Sequence, residues 1–239
     1  MDKITIVVSS KKSREENEGF IKQVVKSSNV ECDVLHFQNN GEKSLTQIYQ
    51  DGLEKSSTEM VVFMHDDITF MRDGWGEVLF DLFEKNKDYG IIGVAGSGDF
   101  EFNAAWWQYK DIYGQVMHKK YDSVWLTEFS KDLGDELAEV CVVDGLFFAV
   151  MKSRINNGFD TSLEGFNFYE IDFCLSNFLS KKTKIGVTTK IKILHNSVGE
   201  MKPNWYANRD VINEKYKEYY PIKIRNNGEE KRKGFKRRR

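Results

Sequence analysis

Apolar residues along this chain alternate between two rhythms. The run "ITIVVSS" at 4–10 is continuous and β-branched, the pattern of a strand buried on both faces. Residues 15–28 then carry Phe20, Ile21, Val24 and Val25 at helical spacing, which predicts an amphipathic helix. "CDVLHF" (32–37) alternates as a strand until "NNGEKS" breaks it. Leu45, Ile48, Tyr49 and Leu53 predict a second helix over 44–57, with Ser44 as its N-cap. "MVVFM" (60–64) reads as a third strand, 74–86 as a third helix through Val78, Leu79, Leu82 and Phe83, and "YGIIGVAG" (89–96) as a fourth strand. Strand and helix in strict alternation imply right-handed crossovers, hence an α/β fold with a mostly parallel, Rossmann-like central sheet and helices on both faces.

After residue 96 the rhythm changes. Residues 97–138 are irregular and aromatic, with Trp106, Trp107, Tyr109, Tyr113, Tyr121 and Trp125. "EVCVVDGLFFAVMKS" reads as one or two strands, 168–181 as a helix, "KIGVTTKIKILH" as a strand and 205–219 as a helix. Two prolines and no Ser/Gly-rich linker predict one domain over 1–225, with halves 1–97 and 98–225, and a basic tail at 226–239.

Composition narrows the function classes. Of 35 Lys and Arg, seven lie in "KRKGFKRRR" (231–239), leaving 28 against 37 acidic residues, a body charge of −9. An acidic body argues against nucleic acid as partner. The tail, a solvated charge run on the plainest reading, has the composition to touch anionic lipid. Three scattered cysteines, Cys32, Cys141 and Cys174, form no CxxC pair and suit a reducing compartment. "MDKITIVVSS" is too short an apolar core for a signal peptide, and "VCVVDGLFFAVM" is short and interrupted by Asp144, so the expectation is a cytoplasmic protein.

Two clusters carry chemistry. His65, Asp66 and Asp67 end the third strand, and in open α/β sheets ligands bind outside the carboxyl ends of strands. In extended geometry His65 and Asp67 point to one side and Asp66 to the other. His65 and Asp67 are therefore candidate ligands for one cation, with Asp66 holding a loop or a sugar hydroxyl. Imidazole with carboxylate suits Mn²⁺ at least as well as Mg²⁺. The plain alternative is that the aspartates cap the next turn. The second cluster is "GFDTSLEGFNFYEIDFCLSNFL" (158–179), where Ile171, Cys174, Leu175 and Phe178 form a buried helix face flanked by Glu170 and Asp172 in the first turn. The helix dipole favours ionised carboxylates there, as a general base requires. The alternative is a capping box of Asn167 and Glu170.

These pieces, in this order, resemble the glycosyltransferases of the GT-A fold, family 2-like group, across roughly residues 3–200. "ITIVVSS" is similar to the first strand and uridine-binding loop, and "VVFMHDDI" sits where the family has its DxD-type metal motif. "VVDGLFFAVMKS" resembles the acceptor-side glycine segment, "GFD…YEIDFCL" the segment with the catalytic base, and "ILHNSVG" the late metal-binding histidine. The resemblance implies Mn²⁺ or Mg²⁺ held by Asp67 and His195 with His65. It implies Glu170 as base, supported by Asp172, and transfer with inversion from a nucleotide-sugar to a saccharide or glycolipid hydroxyl in surface polysaccharide assembly. Ser9, Ser10, Asn39 and Asp66 are candidates for the nucleotide pocket. Trp106 and Trp107 offer aromatic faces to an acceptor sugar, though Trp is commonly core, and Asp144 and Gly145 are candidates for the acceptor-side wall, Gly145 reading equally as a bulge. His36 and His118 read as surface or packing residues. The chain departs from the family at His65, at Tyr169-Glu170 in place of the "ED" pair, and at Asn39-Asn40 where an acid is usual.

Two other classes compete. A nucleotidyltransferase would want a glycine-rich phosphate loop, and "SSKKSREEN" has none; a metal phosphohydrolase would want more than four histidines. A non-catalytic sugar- or nucleotide-binding module would not be expected to carry Asp67, Glu170, Asp172 and His195 together.

Overall fold

The computed structural model describes residues 3–102, 105–180, 183–197, 201 and 203–224. In chain order the strands are β1 (Lys3–Ser10), β2 (Glu31–Gln38), β3 (Met60–Met64), β4 (Ile68–Phe70), β5 (Tyr89–Gly93), β6 (Ala95–Ser97), β7 (Asp99–Phe100), β8 (Ile112–Lys120), β9 (Ser123–Glu128), β10 (Ala138–Val140), β11 (Val142–Val143), β12 (Phe147–Met151), β13 (Lys184–Val187), β14 (Ile193–His195) and β15 (Ile222–Lys223). The helices are α1 (Glu18–Ser28), α2 (Leu45–Lys55), α3 (Trp75–Lys85), α4 (Tyr169–Leu179) and α5 (Pro203–Tyr216).

Seven strands form the central sheet in the order β10-β13-β5-β12-β3-β1-β2. Strands β2, β1, β3, β5 and β13 share one direction, while β12 and β10 run against it. Central strands β1 and β3 are buried on both faces, which is why their sequences run apolar without alternation. Strand β12 comes from the second half of the chain yet inserts between β3 and β5, so the two halves share one sheet.

Helices cover both faces. On one, Phe63 of β3 stacks on Phe148 of β12 and meets Tyr49 of α2 at 4.8 Å between ring centroids. Phe159 stacks on Phe173 of α4 at 4.3 Å and edges against Phe63. Tyr169, the first residue of α4, meets Tyr49 edge-on at 5.2 Å. Helix α2 lies close because it carries Gly52: a Cβ there would come within 2.5 Å of Val7. On the other face Trp75 of α3 stacks on Phe70 and edges against Phe147, and its indole N–H donates to the Val24 carbonyl of α1. Ser44 caps α2 in a full capping box with Gln47, as its sequence predicts.

A second, six-stranded sheet follows the order β11-β6-β8-β14-β4, with β9 paired to β8. It corrects two expectations. The segment 97–138 contains the long hairpin β8–β9; five of the six β9 residues are exposed, so no two-residue alternation announces the strand. The single strand expected over 184–195 is divided, β13 joining the central sheet and β14 the second one. No helix among the described residues is long and apolar enough to cross a membrane. The expected basic tail at 226–239 lies outside the described residues.

Phe159 joins the 155–168 segment to this aromatic layer. Phe159→Ala should therefore lower stability by about 3–5 kcal/mol, the usual cost of emptying a buried phenylalanine site. Urea unfolding checks it; a loss below about 1 kcal/mol would mean the segment is not held by the core.

Candidate functional site

The end of β3 and the end of β14 meet because of one short pairing. Strand β14 lies antiparallel to β4 with His195 opposite Ile68. The Asn196 backbone and side-chain amides both donate to the Asp67 carbonyl at 2.9 Å. This brings His65, Asp67 and His195 together, with one ligand-capable atom from each within 4.8 Å of the others. His195 Nε2 lies 3.3 Å and His65 Nδ1 3.9 Å from Asp67 Oδ1. Two ligands bound at about 2.1 Å to one ion stand roughly 3–4 Å apart, so the spacing fits a divalent metal. Asp67 Oδ1 is also buried without a well-aligned hydrogen bond, the condition of a ligand atom awaiting a cation.

The electrostatics agree with that fit. Burial pushes the Asp67 carboxyl up, but the hydrogen bond and charge of His195, with Ser197 and His65, outweigh it and hold the group down at about 2. Burial pulls His195 down, and Asp67 more than restores it, leaving it raised. His65 is lowered, by burial first and then by the His195 charge. Two imidazoles and one carboxylate suit Mn²⁺ better than Mg²⁺.

Tyr169 and Glu170 open α4 next to this cluster. The Tyr169 hydroxyl lies 2.9 Å from His65 Nε2. The Glu170 carboxyl is half-buried, and its Oε2 is fully buried with no partner. Burial, then the Asp144 charge, push it up to about 8, while the backbone N–H groups of Glu170 and Ile171 pull it part of the way back. This corrects the expectation of a readily ionised carboxylate: loss of water and a second acid outweigh the helix terminus. The capping-box alternative also fails, because the N-cap of α4 is Phe168, in the left-handed region at φ 67° and with no side-chain cap.

A family model described as "Glycosyltransferase like family" matches residues 4–220. The chain belongs to that family. No curated protein matches it. A crystal structure of GalNAc-T7 with UDP, GalNAc and Mn²⁺ matches at TM-score 0.52 and 12% identity, over 91% of this chain and 49% of that one. The mannosyltransferase PcManGT from Pyrobaculum calidifontis, in complex with GDP-Man and Mn²⁺, matches at 0.49 and 8%, over 86% and 60%. A197 from STIV matches at 0.41 and 12%, over 84% and 98%. The chain thus spans about half the length of the GalNAc-T7 structure. At this identity the likeness is one of fold, and the fold is GT-A.

Other expected residues have mixed positions in this glycosyltransferase-like chain. Ser10 is buried and its hydroxyl donates to Asp66 Oδ2 at 2.5 Å, so Asp66 ties β1 to the end of β3; Ser9 is half-buried beside it. Asn39 is buried with its side chain committed to its own loop, accepting from the Gly41 and Lys43 amides and donating to the Lys43 carbonyl. Asp172 is corrected: its carboxylate accepts from Lys215 Nζ at 2.7 Å and the Tyr216 hydroxyl at 2.8 Å, anchoring α5 onto α4, so it is committed to structure rather than to support of Glu170. Trp106 is buried against Phe129, whereas Trp107 is 38% exposed and leans towards Trp205. Asp144 accepts from the Leu146 amide and acts on Glu170, His65 and His195 through its charge. Gly145 is corrected from wall to gap: a Cβ there would fall 2.1 Å from the Tyr169 hydroxyl.

Sequence reasoning missed two residues. His118, read as packing, lies beside His195 on the neighbouring strand, stacks on Trp125, and keeps a buried Nδ1 without a partner. Its signal was the register of β8, which the irregular reading of 97–138 concealed. Tyr169 was visible only as a departure from the family's acidic pair.

Glu170 also sets a pH dependence of stability. Its folded pKa of about 8 exceeds the ordinary value, so the native state holds the proton more tightly than the unfolded chain. Its contribution is therefore present at low pH and is lost as pH rises towards and through 8. Glu170→Gln cannot ionise, so in metal-free protein it should raise the melting temperature at pH 9 and leave it nearly unchanged at pH 5. Scanning calorimetry at both values checks this; an equal shift at both would contradict the burial of the charge.

Proposed function

We propose that this chain is a metal-dependent, inverting glycosyltransferase. It moves a sugar from a nucleotide-diphosphate donor, UDP-sugars being the first candidates, to a hydroxyl of a saccharide or glycolipid. The observation that carries this reading is that Tyr169, bonded to His65, brings the neighbouring Glu170, whose Oε2 has no hydrogen-bond partner, to the His65, Asp67 and His195 cluster. The Mn²⁺ in the GalNAc-T7 complex suggests the ion. When bound, such an ion supplies Lewis-acid charge against the departing diphosphate.

The chain's own residues do the rest. Glu170 Oε2 accepts the proton of the attacking hydroxyl, and a base poised near neutrality is well matched to that transfer. Asp144 keeps Glu170 basic through its negative charge. A single displacement with one base inverts the anomeric centre. The Ser10–Asp66 bond fixes the loop that faces the nucleotide, and the exposed Trp107 offers a face to an acceptor sugar. The basic tail at 231–239 would hold the enzyme near anionic lipid on the cytoplasmic side, as surface polysaccharide or glycolipid assembly requires.

Calorimetry with UDP, with and without Mn²⁺, followed by product analysis on a panel of UDP-sugars, tests the reading. Chelation and Asp67→Ala should each weaken UDP binding strongly. Glu170→Gln should bind UDP as wild type but lower turnover by about two to four orders of magnitude. UDP binding indifferent to metal would refute the role of the His–Asp cluster. Release of sugar 1-phosphate with UMP, rather than UDP, would mark a phosphohydrolase.

A further inference from the structure

Next to the candidate base the molecule keeps aromatic rings at its surface. Phe168, the residue before Tyr169 and Glu170, takes the left-handed backbone at φ 67°, which a non-glycine residue holds only at a cost. Its ring packs on Trp205 of α5, 5.0 Å between centroids. Two more rings meet Trp205: Trp107 at 6.3 Å and Tyr206, edge-on, at 5.2 Å. Phe168 and Trp205 are buried, whereas Trp107 is 38% and Tyr206 43% exposed. Asn208 fixes this end of α5, its side-chain amide donating to the Glu164 and Asn167 carbonyls at 2.7 and 3.3 Å. The rings form one strip that starts beside the first turn of α4 and opens to solvent.

We propose that Trp107, Trp205 and Tyr206 form a platform along which a saccharide chain of two or more sugars lies, so that the acceptor is an oligosaccharide rather than a single sugar. The steps of 6.3 and 5.2 Å between ring centroids are each of the order of one sugar ring. Neighbouring aromatic rings left open at a surface mark a ligand face. The chemistry of this one suits sugar. Flat indole and phenol rings receive the C–H faces of a pyranose, and polar groups at their edges receive its hydroxyls. Asn204 and Arg209 stand within one turn of the rings on α5. Arg209 lies over the Tyr206 ring at 5.3 Å and is steadied by Asp210, to which two of its N–H groups donate at 3.0 and 2.7 Å. The proposal rests on the transfer reading above for the role of the bound chain, but not for the chemistry of the surface.

Calorimetric titration of the full chain, with UDP and Mn²⁺ in excess, tests it. The probes are the malto-, cello-, manno- and chito-oligosaccharides, each from one sugar to four. At least one series should bind more tightly as the chain grows from one sugar to three. Trp107→Ala and Tyr206→Ala should each weaken that trisaccharide about tenfold, the loss usual for an aromatic anchor. Tyr121→Ala removes a ring that is still more exposed, at the turn between β8 and β9, and should change nothing. If Trp107→Ala does not fold, Tyr206→Ala decides alone. Wild type that binds none of the four series, or binds a single sugar as tightly as its tetrasaccharide, overturns the platform. So does an equal loss in Tyr121→Ala, or undiminished binding in folded Tyr206→Ala. Binding that depends on chain length and on Tyr206, with no transfer from any UDP-sugar, upholds the platform and sinks the transfer reading instead.

Discussion

A carboxylate at the end of a fully buried strand must find positive charge, and the centre of this molecule is arranged around that requirement at Asp67. Strand β3 is buried throughout, and the chain leaves it through His65, Asp66 and Asp67, each half-buried. The compensating group is His195, held at 3.3 Å by the pairing of β14 with β4.

The aromatic layer extends the same logic inward. Phe63, Phe148, Phe159 and Phe173 form a stiff base under α2 and α4, and the two tyrosines at its edge turn that apolar base into a polar support. Packing energy and site geometry are therefore coupled. A ring displaced in the layer moves a hydroxyl at the site, because interiors transmit strain rather than absorb it.

Much of the first half of the chain was legible in the sequence, because its strands are buried and its helices amphipathic. Ser44, Ile48 and Tyr49 show the pattern and the structure together. The convergence of His65 with His195 followed from the resemblance and not from spacing, since no local rule pairs residues so far apart. What stayed hidden was decided by tertiary contact. Strand β9 is exposed on both faces and carries no periodic signal. Asp172 shares a helical turn with Glu170, yet Lys215 and Tyr216 claim it from an element whose docking no pattern foretold. Glu170 looked ionised from its place in the helix, and burial first, with the Asp144 charge after it, reverses that. Gly145 gave no hint that its missing side chain makes room for a hydroxyl.

The pairing of β14 with β4 also orders events in time. Asp67 and His195 are 128 residues apart, and at ribosomal speeds of about 5–20 residues per second the second follows the first by roughly 6–25 s. Strands β1, β2 and β3 can pair during that interval, but the cation cluster cannot close. A nascent chain therefore lacks this three-residue cluster until residue 195 has been made. Any ion captured marks a chain whose sheets have already met, so loading comes after folding and cannot guide its early steps.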